Sequence, residues 1–259
     1  MLALMETHVS GSQADNICQK LKFDHWIRIE TFDFSGGNWI CWNDNGFVMD
    51  ILATHPQIVT CKVTSFEGIP WIISFVYGSP NNALRCYLWK DLKIIDMDAR
   101  EEWVVLGDFN VVISEEEQAG YRSFNATGSR DFQNWFFDST LIDIGFEGIP
   151  FTWSRGNEAS DYKMARLDRG ICSSNWRMRF SDTRIIHPPK FHLDYCPLVL
   201  EVTKQMSVRS DFFRCQATWF AHPRFLTSIW SLWSQSNGLW QNLDLLQKGF
   251  KKWNKEDFW

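Results

Sequence analysis

The segment Trp103-Val104-Val105-Leu106-Gly107-Asp108-Phe109-Asn110 sets a carboxylate and an amide two residues apart, directly after an apolar run. Trp103 to Leu106 reads as a short buried strand, and Gly107 lets the backbone turn so that Asp108 and Asn110 emerge at its end. At a strand end both side chains can face one cleft. The same pair also suits an Asx-type turn, which Asp and Asn favour by themselves. Both readings are open on these eight residues.

The charge around the segment bears on its chemistry. From Asp91 to Glu117 there are nine acidic and two basic residues, a net of −7, whereas Arg155 to Lys190 holds eight basic and four acidic, a net of +4. An acidic cluster able to bind a cation, beside a basic rim, suits a phosphodiester substrate. Two solvated faces of opposite sign would give the same count. The overall formal charge of −5 hides this asymmetry.

The elements that must position such a site come mostly from short strands. Leu2 to Met5 reads as the end of a strand with Glu6 at its tip, and Ser12 to Lys22 as a helix opened by Ser12 and Asp15. Trp26–Glu30, Trp39–Trp42, Phe47–Ala53, Ile58–Val63 and Trp71–Tyr77 are predicted strands separated by tight turns, the pattern of antiparallel sheet. Asn82 to Met97 carries Leu84, Leu88, Leu92 and Ile95 at helical spacing, so a helix packs on that sheet. A helix around Arg130–Ser139, a strand at Phe151–Ser154, a short helix at Ser173–Phe180 and strands at Thr183–Ile186 and Cys196–Val202 follow. Beyond Ser207 the pattern turns to amphipathic helix, which places a boundary near residue 205.

Composition limits the class. With 259 residues, 45% apolar, 15 Trp and 21 Phe, the chain can fill a large core. Seven scattered cysteines with no C-x-x-C pair suit a reducing compartment and no structural zinc. Apolar runs such as Ile69–Tyr77 are too short to span a bilayer, and Glu6 interrupts the N-terminal apolar residues at once. A soluble, intracellular protein with no membrane partner is expected.

Six short stretches in order carry a resemblance: Met5-Glu6-Thr7, Val76-Tyr77-Gly78-Ser79-Pro80, Gly107-Asp108-Phe109-Asn110, Phe151-Thr152-Trp153, Arg166-Leu167-Asp168-Arg169 and Asp194-Tyr195-Cys196-Pro197. Together they resemble the endonuclease/exonuclease/phosphatase superfamily, and within it the endonuclease domain of plant LINE-type (non-LTR) retrotransposons. The resemblance covers residues 2 to 204. It implies an α/β fold, a four-layer α/β/β/α sandwich of two mostly antiparallel sheets, formed by residues 1–204. Residues 205–259 would be a helical linker like the one that precedes a reverse transcriptase, and that domain is expected downstream in an intact element.

The chemistry implied is Mg²⁺-dependent cleavage of a phosphodiester, with DNA as partner and a nuclear location if chromosomal DNA is the target. Glu6 would hold Mg²⁺, because a hard cation takes carboxylate oxygen. Asp108 would position or deprotonate the attacking water, Asn110 would bind a phosphate oxygen, and Tyr77 would add a hydroxyl near the phosphate. Asp194 would sit near the metal or the last catalytic residue, and Asp168 would orient a histidine by fixing its tautomer.

Two departures follow. The family has Asp-His where this chain has Asp194-Tyr195, and it has an earlier strand carrying an Asn, so the first strand is expected to be missing here. Little or no activity is the expectation, with His192 a poor substitute because its spacing differs. A non-catalytic nucleic-acid or protein binding module that keeps the fold is the alternative, and a hydrolase of lipid headgroups is disfavoured by the linker-like tail. Trp153 reads as core packing, the cysteines as buried hydrophobes, and Asp168 between Arg166 and Arg169 could equally be a surface ion pair. The residues leave the oligomeric state open.

Overall fold

A computed structural model describes residues 1–30, 37–65, 68–98, 102–121, 124–156, 161–190, 194–202, 224–234 and 236–256. His192 and His222 lie outside the described residues. The chain divides into two compact units, Met1–Gln205 and Met206–Trp259.

The first unit begins with β1 (Leu2–Leu4), α1 (Gly11–Lys20), β2 (His25–Ile29), β3 (Asn38–Trp42), β4 (Phe47–His55), β5 (Ile58–Ser65) and β6 (Pro70–Tyr77). Helix α2 (Asn82–Asp98) crosses to β7 (Trp103–Asp108), followed by β8 (Gln118–Ala119), α3 (Ala126–Asp138), β9 (Ile142–Asp143) and β10 (Glu147–Gly148). Then come β11 (Trp153–Arg155), β12 (Lys163–Ala165), β13 (Asp168–Cys172), α4 (Ser174–Arg179), β14 (Arg184–His187) and β15 (Val199–Glu201). The second unit holds α5 (Phe225–Leu232) and α6 (Leu239–Glu256), packed through Phe225 and Phe250.

A six-stranded sheet, in the order β4-β5-β6-β7-β13-β9, is the frame of the first unit. All its pairs are antiparallel except β6–β7, which is parallel because α2 carries the chain back between them. Strand β7 shows why two layers cover it. Trp103 and Val105 point to a core with Leu88, Leu92, Phe132 and Trp135 of α2 and α3, while Val104 points to Ile40 of β3 and Trp176 of α4. On the outer side of β3, Trp39 packs on Ala14 and Cys18 of α1. The result is an α/β/β/α sandwich, as the resemblance implied.

Three smaller sheets, β1-β3-β2, β10-β14-β15 and β11-β12-β8, complete the unit, so the strands are divided more finely than two sheets. Strands β1 and β15 each end their sheet, and a groove of ≈ 650 Å³ lies between them, walled by Leu2, Ala3, Phe75, Leu106 and Leu200.

Several expected boundaries move for local reasons. Helix α3 starts four residues earlier than Arg130 because Asn125 caps it, its side chain accepting from Gly128 N–H at 3.0 Å. The expected stripe on α2 holds at Leu88, Leu92 and Ile95, but at its first turn Leu84 is exposed and Arg85 is buried. Arg85 Nη1 donates to Ser79 O at 2.6 Å and Nη2 to Asn82 Oδ1 at 3.2 Å, so a guanidinium satisfies a loop that leucine would leave unpaired.

Arg166 and Arg169 are both buried, and they form a four-charge box with Glu117 and Asp143. Arg169 is fully enclosed and bonds Glu117 Oε2 at 2.6 Å and Asp143 Oδ2 at 3.2 Å. Burial pushes the Asp143 carboxyl up, but the Arg166 hydrogen bond and the charges of both arginines win and hold it below the usual carboxylate range. The box ties the loop before β8 and strand β9 to the start of β13. Removing one anion leaves a buried cation underpaired, which costs about 3–5 kcal/mol, whereas exposed pairs contribute about 0–1 kcal/mol. Glu117→Ala should therefore lower the denaturation midpoint far more than Arg184→Ala, which breaks the exposed pairs to Glu147 and Glu201. Equal losses in a urea titration of the two variants would show that the box has no such role.

Candidate active site

The register of three neighbouring strands assembles the site. Tyr77 at the end of β6 is the Cα partner of Asp108 at the end of β7, and Asp108 is the partner of Asp168 at the start of β13. Three polar side chains thus stand in a row across adjacent strand ends. Close approach of the backbones is part of this geometry. Gly107 has φ +144, and a Cβ there would run into the carbonyl oxygen of Val76 on the next strand. A Cβ on Gly78 would meet Phe109 O at 2.6 Å.

Other segments close on the row. Glu6, one turn of chain beyond β1, accepts a hydrogen bond on Oε1 from the Tyr77 hydroxyl. Asn110 sits in the left-handed region at φ 51, with its N–H donating to Asp108 Oδ1 at 2.6 Å and its Nδ2 to Gly78 O at 2.9 Å. The turn expected of Asp108 and Asn110 is present, and it fixes the amide beside the carboxylate. Tyr195 lies against β11 by a bridge to Trp153, held by Ser154 N–H to Asp194 O at 2.9 Å and Cys196 N–H to Thr152 O at 2.7 Å. Its hydroxyl is in the field of Asp108, Glu6, Asp168 and Asp194. Asp194 itself is exposed on the rim of a cleft of ≈ 820 Å³, with Trp153, Ser154, Arg155 and Lys163.

Thr152, the middle residue of Phe151-Thr152-Trp153, is a functional neighbour that no residue pattern marks. It is fully buried, its Oγ1 accepts from the N–H of Leu167 and of Asp168 at 3.0 Å each, and it hydrogen-bonds the Asp168 carboxyl. Asp168 is not a surface ion pair. Its neighbours Arg166 and Arg169 turn away into the charge box. Trp153, expected in the core, is half-buried and lines the cleft. Among the described residues, Cys18, Cys41, Cys61, Cys172 and Cys196 are buried as expected, while Cys86 is only partly so.

Burial dominates the electrostatics. It pushes the Asp108 carboxyl well above its usual range, with the Asp168 charge adding to it, and pushes Asp168 up to about 6. Burial, and then the hydrogen bond to Glu6, raise the Tyr77 hydroxyl, and burial together with the nearby carboxylates raises Tyr195, so both phenols stay neutral at ordinary pH. Asp168 Oδ2 is buried without a hydrogen-bond partner. Among the described residues no three His, Cys, Asp or Glu side chains converge as a metal cage, and no helix is long and apolar enough to cross a membrane.

Much of the basic stretch is engaged by other protein groups. Besides Arg166 and Arg169, Arg179 pairs with Glu102, Arg184 with Glu147 and Glu201, and Arg177 donates to Thr183 O at 2.8 Å. Arg155 and Lys163 line the cleft.

No family model and no curated protein matches this sequence. Solved structures do match. The endonuclease domain of TRAS1, a telomere-specific non-LTR retrotransposon, aligns at a TM-score of 0.55 and 14% identity over 70% of this chain and 80% of that one. The 3'-5' exonuclease NExo from Neisseria meningitidis aligns at 0.56 and 17% identity over 78% and 88%. A form of NExo described as a 3' phosphatase bound to product DNA hairpin gives 0.56 and 16%. In its layers and strand order the chain shares the fold of these nucleases.

Proposed function

We propose that this chain is a DNA-binding, Mg²⁺-dependent phosphodiesterase of the DNA-nicking type with little or no remaining activity. The observation that carries this is the row of Tyr77, Asp108 and Asp168 with Glu6 and Tyr195 closing on it. In it Asp108 is the group to position or deprotonate an attacking water. Asn110, pinned by Asp108 and Gly78, offers its amide to a phosphate oxygen.

A hard cation keeps several waters and takes one or two carboxylates. The orphaned Asp168 Oδ2 and an excess of carboxylates over cations make this a site that such an ion would suit. Glu6 would hold it, with Asp194 as the further carboxylate. When bound, Mg²⁺ would neutralise charge on the phosphodiester.

Tyr195 supports the weak-activity half of the proposal. A neutral phenol cannot exchange a proton near pH 7 as an imidazole does, and it lacks the second ring nitrogen that Asp168 would orient. Losing a positioned acid–base group costs about 10²–10⁴ in rate. The same observation favours the second reading, a binding module without catalysis.

Nicking of supercoiled plasmid separates the two. Tyr195→His should raise Mg²⁺-dependent nicking by about 10² or more, and Asp108→Asn in that background should abolish it. If the unaltered chain already nicks as fast as Tyr195→His, and Asp108→Asn stops it, the assignment of Tyr195 is wrong. If neither chain nicks but both bind duplex DNA, the binding module is the correct reading.

The raised acid at position 168 also gives a pH prediction. A carboxyl raised from 3.8 to about 6 in the folded state contributes stability that is fully present below its unfolded pKa and lost as pH rises through the folded value. The loss is on the order of 3 kcal/mol at about 1.4 kcal/mol per unit. Asp168→Asn should then melt higher than the unaltered chain at pH 7.5 and show a smaller fall in Tm between pH 4 and 7.5. An identical pH dependence for both chains would contradict this.

A further inference from the structure

The cleft lined by Trp153, Ser154 and Asp194 has a cation that no motif pointed to. Lys190 follows Pro188-Pro189, whose fixed φ and missing N–H groups hold the chain extended as it leaves β14. Its ammonium donates to Ser154 Oγ at 2.9 Å and to Asp194 O at 3.1 Å, and both acceptors belong to residues lining the cleft. Both are also neutral oxygens. In this stretch Arg166, Arg169, Arg179 and Arg184 pair with carboxylates, but among the described residues Lys190 has no carboxylate within ion-pair distance. Two of its three N–H groups are used, both on neutral oxygens.

Its surroundings set the location of that charge. Lys190 is half-buried, and the Asp168 and Asp194 charges reach it, so it stands beside the row rather than out in solvent. Burial lowers its pKa while those charges oppose the shift. A half-buried cation bridging a β11 side chain and the main chain at Asp194 is fixed in place, unlike a solvated surface lysine.

We infer that Lys190 is a phosphate-binding residue of this cleft, taking a non-bridging oxygen of a phosphodiester on its remaining N–H. The inference rests on the proposal that the cleft takes the DNA backbone. It adds a residue and a charge to that proposal, and it moves the basic contact away from Arg166 and Arg179, which the charge box and Glu102 already hold. A purely mechanical role, stitching Ser154 to Asp194, is the competing account. The two differ in one property, because a stitch can be made by a neutral amide and a phosphate contact needs the charge.

The test is binding of a fluorescein-labelled duplex oligonucleotide in EDTA, by anisotropy over a series of KCl concentrations. Each phosphate neutralised contributes about 0.9 to the slope of log K against log salt. Lys190→Gln, which can still bridge both oxygens, should reduce the slope by about 0.9, and Lys190→Arg should keep it. Lys190→Met serves as a second neutral replacement, with circular dichroism melting to show that each variant is folded. An unchanged slope in folded Lys190→Gln or Lys190→Met, even with weaker binding, overturns the role of Lys190 and leaves the proposed function standing. Absence of salt-dependent binding by the unaltered chain overturns both.

Discussion

The site depends on register. A carboxylate at the end of β7 can meet a phenol from β6 and a second carboxylate from β13 only if three strands end level, and a slip of one residue would turn each side chain to the opposite face. The parallel β6–β7 pair needs the α2 crossover, and the close backbone contact at Gly107 leaves no room for a side chain there. Everything else closes on this row: Glu6 through Tyr77, Asn110 through its turn, and Tyr195 through the bridge to Trp153.

Two buried charge groups on β13 and its neighbours are handled in opposite ways. In the box, Arg166 and Arg169 face Glu117 and Asp143, and the attraction outweighs desolvation enough to hold Asp143 below its usual range. One residue away, Asp168 faces Asp108, and burial outweighs the Thr152 hydrogen bond and the Arg169 and Lys190 charges, so both carboxyls are pushed up. The fold thus stabilises the strand with one set of charges and leaves Asp168 Oδ2 in the other set without a hydrogen-bond partner, a costly state for a buried polar group.

This division also changes the meaning of the charge pattern along the chain. The acidic stretch Asp91–Glu117 is not one cluster: Glu102 serves Arg179, Glu117 serves the box, and Asp108 serves the row. The basic stretch is likewise divided, with Arg155 and Lys163 lining the cleft, Lys190 bonded to its Ser154, Arg169 and Arg179 paired with carboxylates inside the fold and Arg184 paired on the surface. A local excess of one sign identifies neither a metal site nor a nucleic-acid face until the partners of each charge are known.

The sequence by itself determined the strands β4 to β7 and the helices around them, because short apolar runs between tight turns and helical spacing are local properties, whereas the sandwich and the roles of Glu6, Tyr77, Asp108, Asn110, Asp168, Asp194 and Tyr195 were implied by the resemblance of the ordered short motifs. What each side chain touches was decided only by tertiary structure. Leu84 and Arg85 exchanged inside and outside because the loop at Ser79 needed a donor, and Trp153 left the core because Tyr195 pairs beside it. Thr152 became the partner of Asp168, and Lys190 reached the cleft from 36 residues beyond Ser154. Hydrogen bonds and ion pairs are short-ranged and join residues far apart in the chain, so no periodicity along the sequence carries them.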